Sequence, residues 1–522
     1  MFSSRFCGEA PVRDGAAQSR IRFQRRWPVS TLVALALAAA SVMTMVAAGT
    51  PALADPTDQI LTVAWGHNEQ GQLGDGTTQQ ANTPVTVAGQ IAFTKVEAGT
   101  SHTLAIAADT TIWSWGTNGF GGLGDGTTTP SLTPVHVPGL TGIVDVSAGA
   151  GSSFAIDSSG RLWAWGFNGS GFGNLGLGDN VPATNPVPKQ VLGLPPMADV
   201  ETSQRSVVAR DVNGEVWTWG SNSDGQLGNG TVGGFRATPA KLASLTTIID
   251  IAAADVDGLA LRADGTVFGW GDNGVSQLGP GGLGDRPTPA FTTGIAGLTQ
   301  IGIGSGNVSA LRNDGTVWSW GINSRGELGI GTISAPVYPP VATAVSGATQ
   351  LAVGAENGYA RRGDGTVLAW GDNTLGGLGT GSTAPNNPNP SPVVGVSHAT
   401  YLGSGATALH ALAIQAIPTD FSIALDPRLG SVQPGGSTTT VVSLTPSKGF
   451  TSSAAVSVTN LPPGVTATLS SPKVSEDHPV TITLHTSIRT PRGQFRILIT
   501  AVADSITKAV PYTLTIGNIT TS

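Results

Sequence analysis

Alternating apolar and polar positions divide most of the chain into short predicted β-strands. In the segment 301–321, residues 309–312 form one alternating run, Asp314-Gly315 supplies a two-residue turn that needs positive φ, and residues 316–320 form the returning run. The same Asn-Gly or Asp-Gly turn recurs at 213–214, 264–265 and 364–365. This pattern predicts antiparallel hairpins and no helix of useful length.

Tryptophan marks a repeat of this hairpin unit. The dipeptide Trp-Gly occurs seven times, at spacings of 50, 50, 54, 51, 50 and 50 residues, and an Asn follows each of these Trp three positions later. The repeated residues are Trp65, Trp115, Trp165, Trp219, Trp270, Trp320 and Trp370. Leu-Gly usually follows near the eighth position, as in Leu73-Gly74. A period near fifty residues indicates one supersecondary unit per repeat.

The two ends of the repeat array predict a closed ring. One small sheet cannot bury both of its faces, so neighbouring units must stack, and seven equal units close more readily than they extend. Residues 61–66 form a returning strand with no partner before it, whereas 410–414 resemble 102–106 without a following Trp-Gly. We predict an all-β protein with a seven-bladed β-propeller at residues 55–417, in which the two half-units complete one blade.

These residues resemble the repeat of the regulator of chromosome condensation family. The stretch GTSHTLAI at 99–106, followed by WSWGTN at 113–118 and GLG at 122–124, is similar to one repeat of that family. The resemblance covers roughly residues 57–416 and implies a seven-bladed propeller, in agreement with the count of Trp-Gly pairs. The family includes a nuclear protein that exchanges nucleotide on a small GTPase and binds chromatin, and a secreted bacterial β-lactamase inhibitor. The resemblance therefore implies recognition of proteins.

A second predicted domain begins at Pro418 and covers residues 418–522. Residues 420–517 contain no Trp and show six or seven alternating runs separated by turn residues, the pattern of a sandwich. The segment LPPGV at 461–465 resembles one that is common in immunoglobulin-like domains of secreted bacterial proteins. We predict an immunoglobulin-like β-sandwich there.

Residues 1–54 have the pattern of an export signal. Six Arg precede an almost uncharged apolar stretch at 29–48, and Ala52-Leu53-Ala54 has the small-x-small form of a signal-peptidase site. We predict cleavage before Asp55 and an extracellular or cell-envelope location of an exported bacterial protein. The alternatives are an uncleaved membrane anchor and, because of Arg25-Arg26, a twin-arginine export route.

Charge and cysteine content restrict the partners. The whole chain has 26 basic and 33 acidic residues; removal of the signal's six Arg and two acids leaves 20 and 31, a net charge of about −11. No basic cluster follows the signal, so we expect no nucleic-acid partner, and a membrane partner only if the signal is retained. The single cysteine, Cys7, lies in the signal, so the mature chain has no thiol chemistry.

The sequence contains no recognisable catalytic motif. It has no serine elbow, phosphate-binding loop or carboxylate pair for glycosidic cleavage. Asp255-Val256-Asp257 comes nearest to a carboxylate cluster, but it lacks the dense oxygen ligands of a calcium loop. His102 and His410 occupy equivalent repeat positions and are interpreted as histidines hydrogen-bonded within a blade. We expect no enzymatic activity, no metal site and no cofactor.

Candidate binding residues lie where the repeats differ. The hairpin turn is at one end of each blade, so the loops before and after the hairpin meet at the other end and form one face. Aromatic and charged side chains vary on that face, a mixture that suits protein recognition. The predicted partner-binding residues are Phe120, Phe167, Phe172, Arg205, Asp224, Asp255, Asp257, Arg325, Glu356 and Asp372. The three Phe are expected to be neighbours.

The sequence leads to one functional hypothesis and two alternatives. The hypothesis is an exported, noncatalytic, monomeric protein whose propeller binds a protein partner through this face, with enzyme inhibition as a specific version. The alternatives are an extracellular carbohydrate-active enzyme with an accessory sandwich, and an adhesin of the cell envelope.

Overall fold

The computed structural model describes residues 59–169, 172–280, 282–417, 420–447, 450, 452–503 and 506–517. The predicted signal segment and its cleavage site lie outside these residues. Every helix or strand assigned within them is a β-strand, which confirms the all-β prediction. A search of the same residues for a helix long and apolar enough to cross a membrane finds none.

Residues 59–417 form seven four-stranded antiparallel sheets, the blades of a propeller. In each blade the strand positions are called a to d from the centre outwards, and the a strands of successive blades contact one another around a closed ring. Hairpin bc lies at one end of the blade, so loops ab and cd lie at the other. The seven-bladed prediction is confirmed.

The closing blade, blade 1, contributes strands from both ends of the array. Its outer strands, c and d, are β1 (Gln59–Gly66) and β2 (Ala81–Thr86).

Blades 2 to 4 each consist of four consecutive strands. Blade 2 has β3 (Phe93–Ala98), β4 (His102–Ala107), β5 (Ile112–Gly116) and β6 (Ser131–His136). Blade 3 has β7 (Ile143–Ala148), β8 (Ser152–Asp157), β9 (Leu162–Phe167) and β10 (Thr184–Gln190). Blade 4 has β11 (Met197–Thr202), β12 (Ser206–Asp211), β13 (Val216–Ser221) and β14 (Phe235–Leu242).

Blades 5 to 7 have the same arrangement, and the chain then returns to blade 1. Blade 5 has β15 (Ile248–Ala253), β16 (Asp257–Arg262), β17 (Thr266–Gly271) and β18 (Arg286–Gly294), and blade 6 has β19 (Leu298–Ile303), β20 (Asn307–Arg312), β21 (Val317–Gly321) and β22 (Val337–Ala342). Blade 7 has β23 (Ala348–Val353), β24 (Asn357–Arg362), β25 (Val367–Asp372) and β26 (Asn386–Pro392). Strands a and b of blade 1 are β27 (Ala399–Gly403) and β28 (His410–Ile417).

Pairing of β1 with β28 closes the ring. The two strands are antiparallel and in continuous register from Gln59 opposite Ile417 to Gly66 opposite His410. The sheet order β2-β1-β28-β27 confirms that the two half-units form one blade. Without this pairing, the first and last strands would each leave an unpaired sheet edge.

The seven Trp of the repeat lie between blades. Each is fully buried, and each Nε1 donates a hydrogen bond of 2.8–3.0 Å to a backbone carbonyl in the preceding blade. Trp65 donates to the carbonyl of Gly377 and so bonds blade 1 to blade 7. Gly74 explains the Leu-Gly landmark, because its φ is +71° and a Cβ there would lie 2.6 Å from Nε1 of Trp115.

Residues 420–517 form two sheets around one hydrophobic cluster. Their strands are β29 (Asp420–Asp426), β30 (Leu429–Val432), β31 (Ser437–Ser447), β32 (Ala454–Thr459), β33 (Val465–Leu469), β34 (Lys473–Val474), β35 (Val480–Thr486), β36 (Gly493–Ala503) and β37 (Ile506–Ile516). The alternating runs predicted six of the nine; β30 and β34 are too short to show a pattern, whereas β33, with the alternating sequence VTATL, was not among the predicted runs. The immunoglobulin-like classification and the domain boundaries stay predictions.

Ring closure makes a prediction about stability. Deleting residues 59–66 from a chain that begins at Asp55 should greatly lower the melting temperature of the propeller, because it exposes an edge of β28 and removes Trp65 from its buried site. Removing residues 420–522 is the control and should change propeller melting much less. Thermal unfolding followed by tryptophan fluorescence makes the comparison, since every Trp after the signal lies in the propeller. Equal losses would contradict the closure model.

Candidate functional site

The ab and cd loops meet at one end of every blade. The residue after each Trp-Gly donates its backbone N–H, over 2.8–3.1 Å, to the carbonyl of the last ab-loop residue of the same blade. Thr117 donates in this way to Ser101, Ser221 to Arg205 and Asp372 to Glu356. We call the surface built by these loops the loop face. The predicted arrangement of the loops is therefore present in all seven blades.

The repeated Asn holds each cd loop in shape. In blade 2, Oδ1 of Asn118 accepts from the backbone N–H of Leu123 at 2.9 Å, and its Nδ2 donates to the carbonyls of Thr127 and Thr129. The Oδ1 to Leu N–H bond recurs in every blade, at 2.8–3.2 Å. These Asn side chains are buried, so the loop face is built on a preorganised frame. The sequence showed the Asn spacing but not this role.

Two of the three predicted aromatic residues contact each other. The rings of Phe120 and Phe167, in blades 2 and 3, have centroids 4.4 Å apart, and Phe120 is 47% exposed. Phe172 lies in the cd loop of blade 3 and is 37% exposed. No ring contact joins Phe172 to the pair among the described residues. The expectation of neighbouring rings is confirmed for Phe120 and Phe167.

Sequence reasoning missed other exposed apolar side chains near this face. Three of them lie in cd connections beyond the Leu-Gly landmark, and Phe235 is the first residue of β14. The predicted binding residues in the cd loops lie closer to Trp-Gly. The set comprises Val232, Phe235, Leu283 and Ile333. A large apolar residue close to the Gly residues of a cd connection is the sequence feature that could have identified these exposed side chains.

Arg325, Glu356 and Asp372 form one ion network rather than three separate binding groups. The Arg325 guanidinium lies 3.0 Å from a Glu356 oxygen and 2.8 Å from Oδ1 of Asp372. Asp372 is nearly buried at the end of β25 and also accepts from Thr374. The network joins blades 6 and 7, so part of its charge is already satisfied within the chain.

The acidic residues of blades 4 and 5 gather near one another. Oδ1 of Asp255 accepts from the backbone N–H of Gln204 at 3.1 Å, and Asp224 accepts from the hydroxyl of Ser223. Arg205 is exposed and makes no ion pair within 4.0 Å among the described residues. Asp257 differs from the prediction, since it is the first residue of β16 rather than a loop residue and is only 2% exposed.

The two buried histidines connect blades, which corrects the expectation of bonds within a blade. Nε2 of His102 lies 2.9 Å from Oγ of Ser153 in the next blade, and that of His410 lies 2.9 Å from Oγ1 of Thr103. Both hydroxyls donate to carbonyls, so they accept from Nε2–H of a neutral imidazole. Burial lowers the pKa of His102 to about 4 and that of His410 to about 3.

Equivalent positions on the seven a strands carry polar side chains, and all of these except the one on β7 line a central cavity of about 210 Å³. Several bond to the next blade, as where Oδ2 of Asp250 accepts from Ile301 N–H at 2.7 Å and Oε1 of Gln300 accepts from Leu351 N–H at 3.0 Å. The equivalent residues are Lys95, Asp145, Asp199, Asp250, Gln300, Gln350 and Tyr401. The cavity therefore has an acidic half and a neutral amide half.

Carboxyl groups of the acidic half have raised pKa values. Burial raises the pKa of Glu97 to about 8, although the positive charge of Lys95 lowers it. Burial also raises the pKa of Asp250 to about 8, and the negative charge of Asp199 raises it further. Lys95 pairs with Asp145. The Asp199 side chain keeps 19% of its surface accessible, and solvent weakens the interactions of a charge at such a position. No group of three or more His, Cys, Asp or Glu in the described part of the chain is arranged to hold a metal ion.

Comparison with known proteins identifies relatives of the propeller. A family model described as an RCC1-like domain matches residues 61–413. The RCC1 domain-containing protein RUG3, mitochondrial, of Arabidopsis thaliana is 35% identical over 122 residues, 22% of this chain and 27% of that protein. The human Regulator of chromosome condensation is 34% identical over 116 residues, 20% of this chain and 26% of that protein. The chain thus spans about a quarter of the length of these curated relatives.

Solved structures show the same fold at low identity. Human WBSCR16 has a TM-score of 0.60 and 20% identity, covering 68% of this chain and 98% of that one. Yeast RCC1 (Prp20), solved with Kap60 bound to it, has a TM-score of 0.61 and 21% identity, covering 70% of this chain and 90% of that one.

The central cavity makes a prediction about pH. The folded-state pKa values of Glu97 and Asp250 are about 8, above their ordinary values of 4.5 and 3.8. Between these values the folded protein binds more protons than the unfolded chain, so its free energy of unfolding falls as the pH rises toward 8. The buried histidines act in the opposite sense, but only below their ordinary pKa of 6.5. The free energy of unfolding should therefore fall between about pH 6.5 and about pH 9.

Denaturant unfolding across that range tests the prediction. Glu97→Gln and Asp250→Asn should each flatten the pH dependence, whereas Glu69→Gln, at a side chain 75% exposed, should not. An unchanged slope in both cavity variants would contradict the assignment.

Proposed function

Because the chain belongs to the family of RCC1-like domains, we propose that it is an exported, noncatalytic protein whose propeller recognises a protein partner through the loop face. Propellers of this kind are suited to protein binding, and yeast RCC1 (Prp20) is an example with Kap60 bound to it. The partner of this chain would be an extracellular or envelope protein, and inhibition follows if that partner is an enzyme.

The observation that carries the proposal is an exposed aromatic pair on a preorganised frame. Phe120 and Phe167 pack on each other at the surface, although neither ring fills the Trp-lined interior. The buried Asn118 clamp fixes the loop from which Phe120 projects, so the ring loses little conformational freedom when a partner covers it. A rigid aromatic anchor beside charged groups is typical of binding hot spots.

Replacing the three predicted aromatics tests the site. The variant Phe120→Ala/Phe167→Ala/Phe172→Ala should keep most of the melting temperature, because these rings lie outside the buried core clusters, but should weaken binding by more than about 2 kcal/mol. The matched control is Leu192→Ala, which removes a side chain 73% exposed on the connection from blade 3 to blade 4, at the hairpin end of the blades.

The partner is first captured from the native extracellular fraction with immobilised residues 55–522 and identified by mass spectrometry. Its affinity for the wild type, the triple variant and Leu192→Ala is then measured by titration. Unchanged affinity in the triple variant would place the site elsewhere, and a large fall in melting temperature would show that the rings stabilise the fold.

Export makes a separate prediction. The protein recovered from the native host should begin at Asp55 and be found outside the cytoplasm, because residues 29–48 and 52–54 have the pattern of a cleaved signal. Intact-mass measurement and cell fractionation check this. A mass that retains residues 29–48 would support a membrane anchor instead.

A further inference from the structure

One register position separates blade 5 from the other six. In each blade, the first residue of strand b lies opposite the Gly of Trp-Gly, and it is polar and buried in every case. These residues are His102, Ser152, Ser206, Asp257, Asn307, Asn357 and His410. Six are His, Ser or Asn, and Asp257 alone is an acid. A single acid in a repeated neutral position requires a local cause.

The Asp257 carboxylate is only half satisfied within the chain. Its Oδ2 accepts from Nε2 of Gln277 at 3.3 Å, and the same nitrogen donates to Oδ2 of Asp272 at 3.1 Å. The Gln277 amide cannot turn freely, because its Oε1 accepts from Val275 N–H at 3.0 Å. Oδ1 of Asp257 has no hydrogen-bond partner among the described residues, and Asp257 is only 2% exposed. Unpaired buried polar atoms also occur at this position in blades 1, 2, 3 and 6, but only in blade 5 is the atom a carboxyl oxygen. An unpaired buried carboxylate oxygen is costly unless a donor reaches it.

Asp257 lines an open cleft of about 330 Å³ on the loop face. The cleft lies between the ab loops of blades 5 and 6, and Asp255 and Asp272 also line it, together with Gly304 and Ser305. Burial raises the pKa of Asp257 well above its ordinary value, and the charges of Asp272, Asp224 and Asp255 add to this effect. The facing cation is Arg205, whose charge acts on Asp255. No cation is paired with Asp257 among the described residues, so a cation bound in the cleft would favour its ionised form.

We propose that this cleft binds one organic cation, the ammonium or guanidinium group of a Lys or Arg side chain presented by the protein partner. A cationic side chain would donate to the half-buried carboxylates of Asp272 and Asp255 and would place its charge beside the buried, unpaired Oδ1 of Asp257, forming charge-assisted hydrogen bonds in a partly desolvated site. A divalent metal fits less well, because the described carboxylates are not arranged as a set of three metal ligands. The inference rests on the proposed function and names the chemistry of the partner's contact residue.

Small cations test the cleft without the unidentified partner. The probes are N-acetyl-lysine methylamide and N-acetyl-arginine methylamide, with N-acetyl-norleucine methylamide as the uncharged analogue, titrated into residues 55–522 and followed by saturation-transfer NMR. We expect the charged probes to bind and norleucine not to bind. Asp257→Asn keeps the shape and the acceptor for Gln277, so it should fold and weaken the charged probes by about tenfold or more.

The control variant is Glu69→Gln, which removes one exposed carboxylate from the blade 1 loops and should leave probe binding unchanged. A second variant, Asp255→Asn at the cleft rim, should weaken binding without altering β16. Equal binding of norleucine, or no loss in either cleft variant, would overturn the proposal, as would displacement of the charged probes by micromolar CaCl₂ through a metal site. Partner capture through Phe120 and Phe167 is measured separately, so failure of the cleft and failure of the proposed function are distinguishable.

Discussion

The hydrogen bond from each tryptophan Nε1 to a carbonyl in the preceding blade is the interaction on which the propeller depends. A blade buries its large Trp only against its neighbour, and the indole N–H has no water available there, so the neighbouring backbone must supply the acceptor at a fixed position. Trp115 bonds to Gln72 and Trp65 to Gly377, so the same constraint applies along the chain and across the closure. Each interface thereby fixes both the separation and the register of two blades.

This constraint also shapes the loop face. The acceptor carbonyl belongs to the cd loop, so that loop cannot move without breaking an interface bond. The buried Asn next to it holds the remainder of the loop through its amide, as Asn118 does for residues 123–129. The side chain of Phe120, between these anchors, is 47% exposed and lies outside the buried clusters. Because the loop backbone is held by buried hydrogen bonds, the exposed loop side chains can change in sequence and alter partner recognition without unfolding the propeller.

Charge is distributed unequally around this symmetric frame. The cavity at the centre collects Glu97, Asp199 and Asp250 on one side; Lys95 acts on Glu97 and Asp199, and Arg210 pairs with Asp199 and acts on Asp250. On the loop face, Arg325 pairs with both Glu356 and Asp372, whereas Asp257 in blade 5 pairs with no cation among the described residues and keeps one oxygen without a hydrogen bond. Because the backbone repeats, equivalent residues of the seven blades lie in a circle around the propeller axis. A blade whose residue differs in chemistry from the other six then has a local site of its own. The chemistry of the protein lies in these departures from the repeat.

Much of the architecture was accessible from the sequence, because the Trp-Gly period, the Asp-Gly turns and the unmatched end strands are local patterns that only one closed arrangement satisfies. The loop face and the Phe120–Phe167 pair followed from the same reasoning. Side-chain partners did not, since His102 bonds across blades, Arg325 is already paired, and Asp257 lies in a strand rather than a loop. The first two outcomes depend on contacts between residues about fifty positions apart, and the third on where strand pairing begins in blade 5. Local sequence determines which strands form, whereas only the packing of one blade on the next decides which polar atoms meet and which stay free.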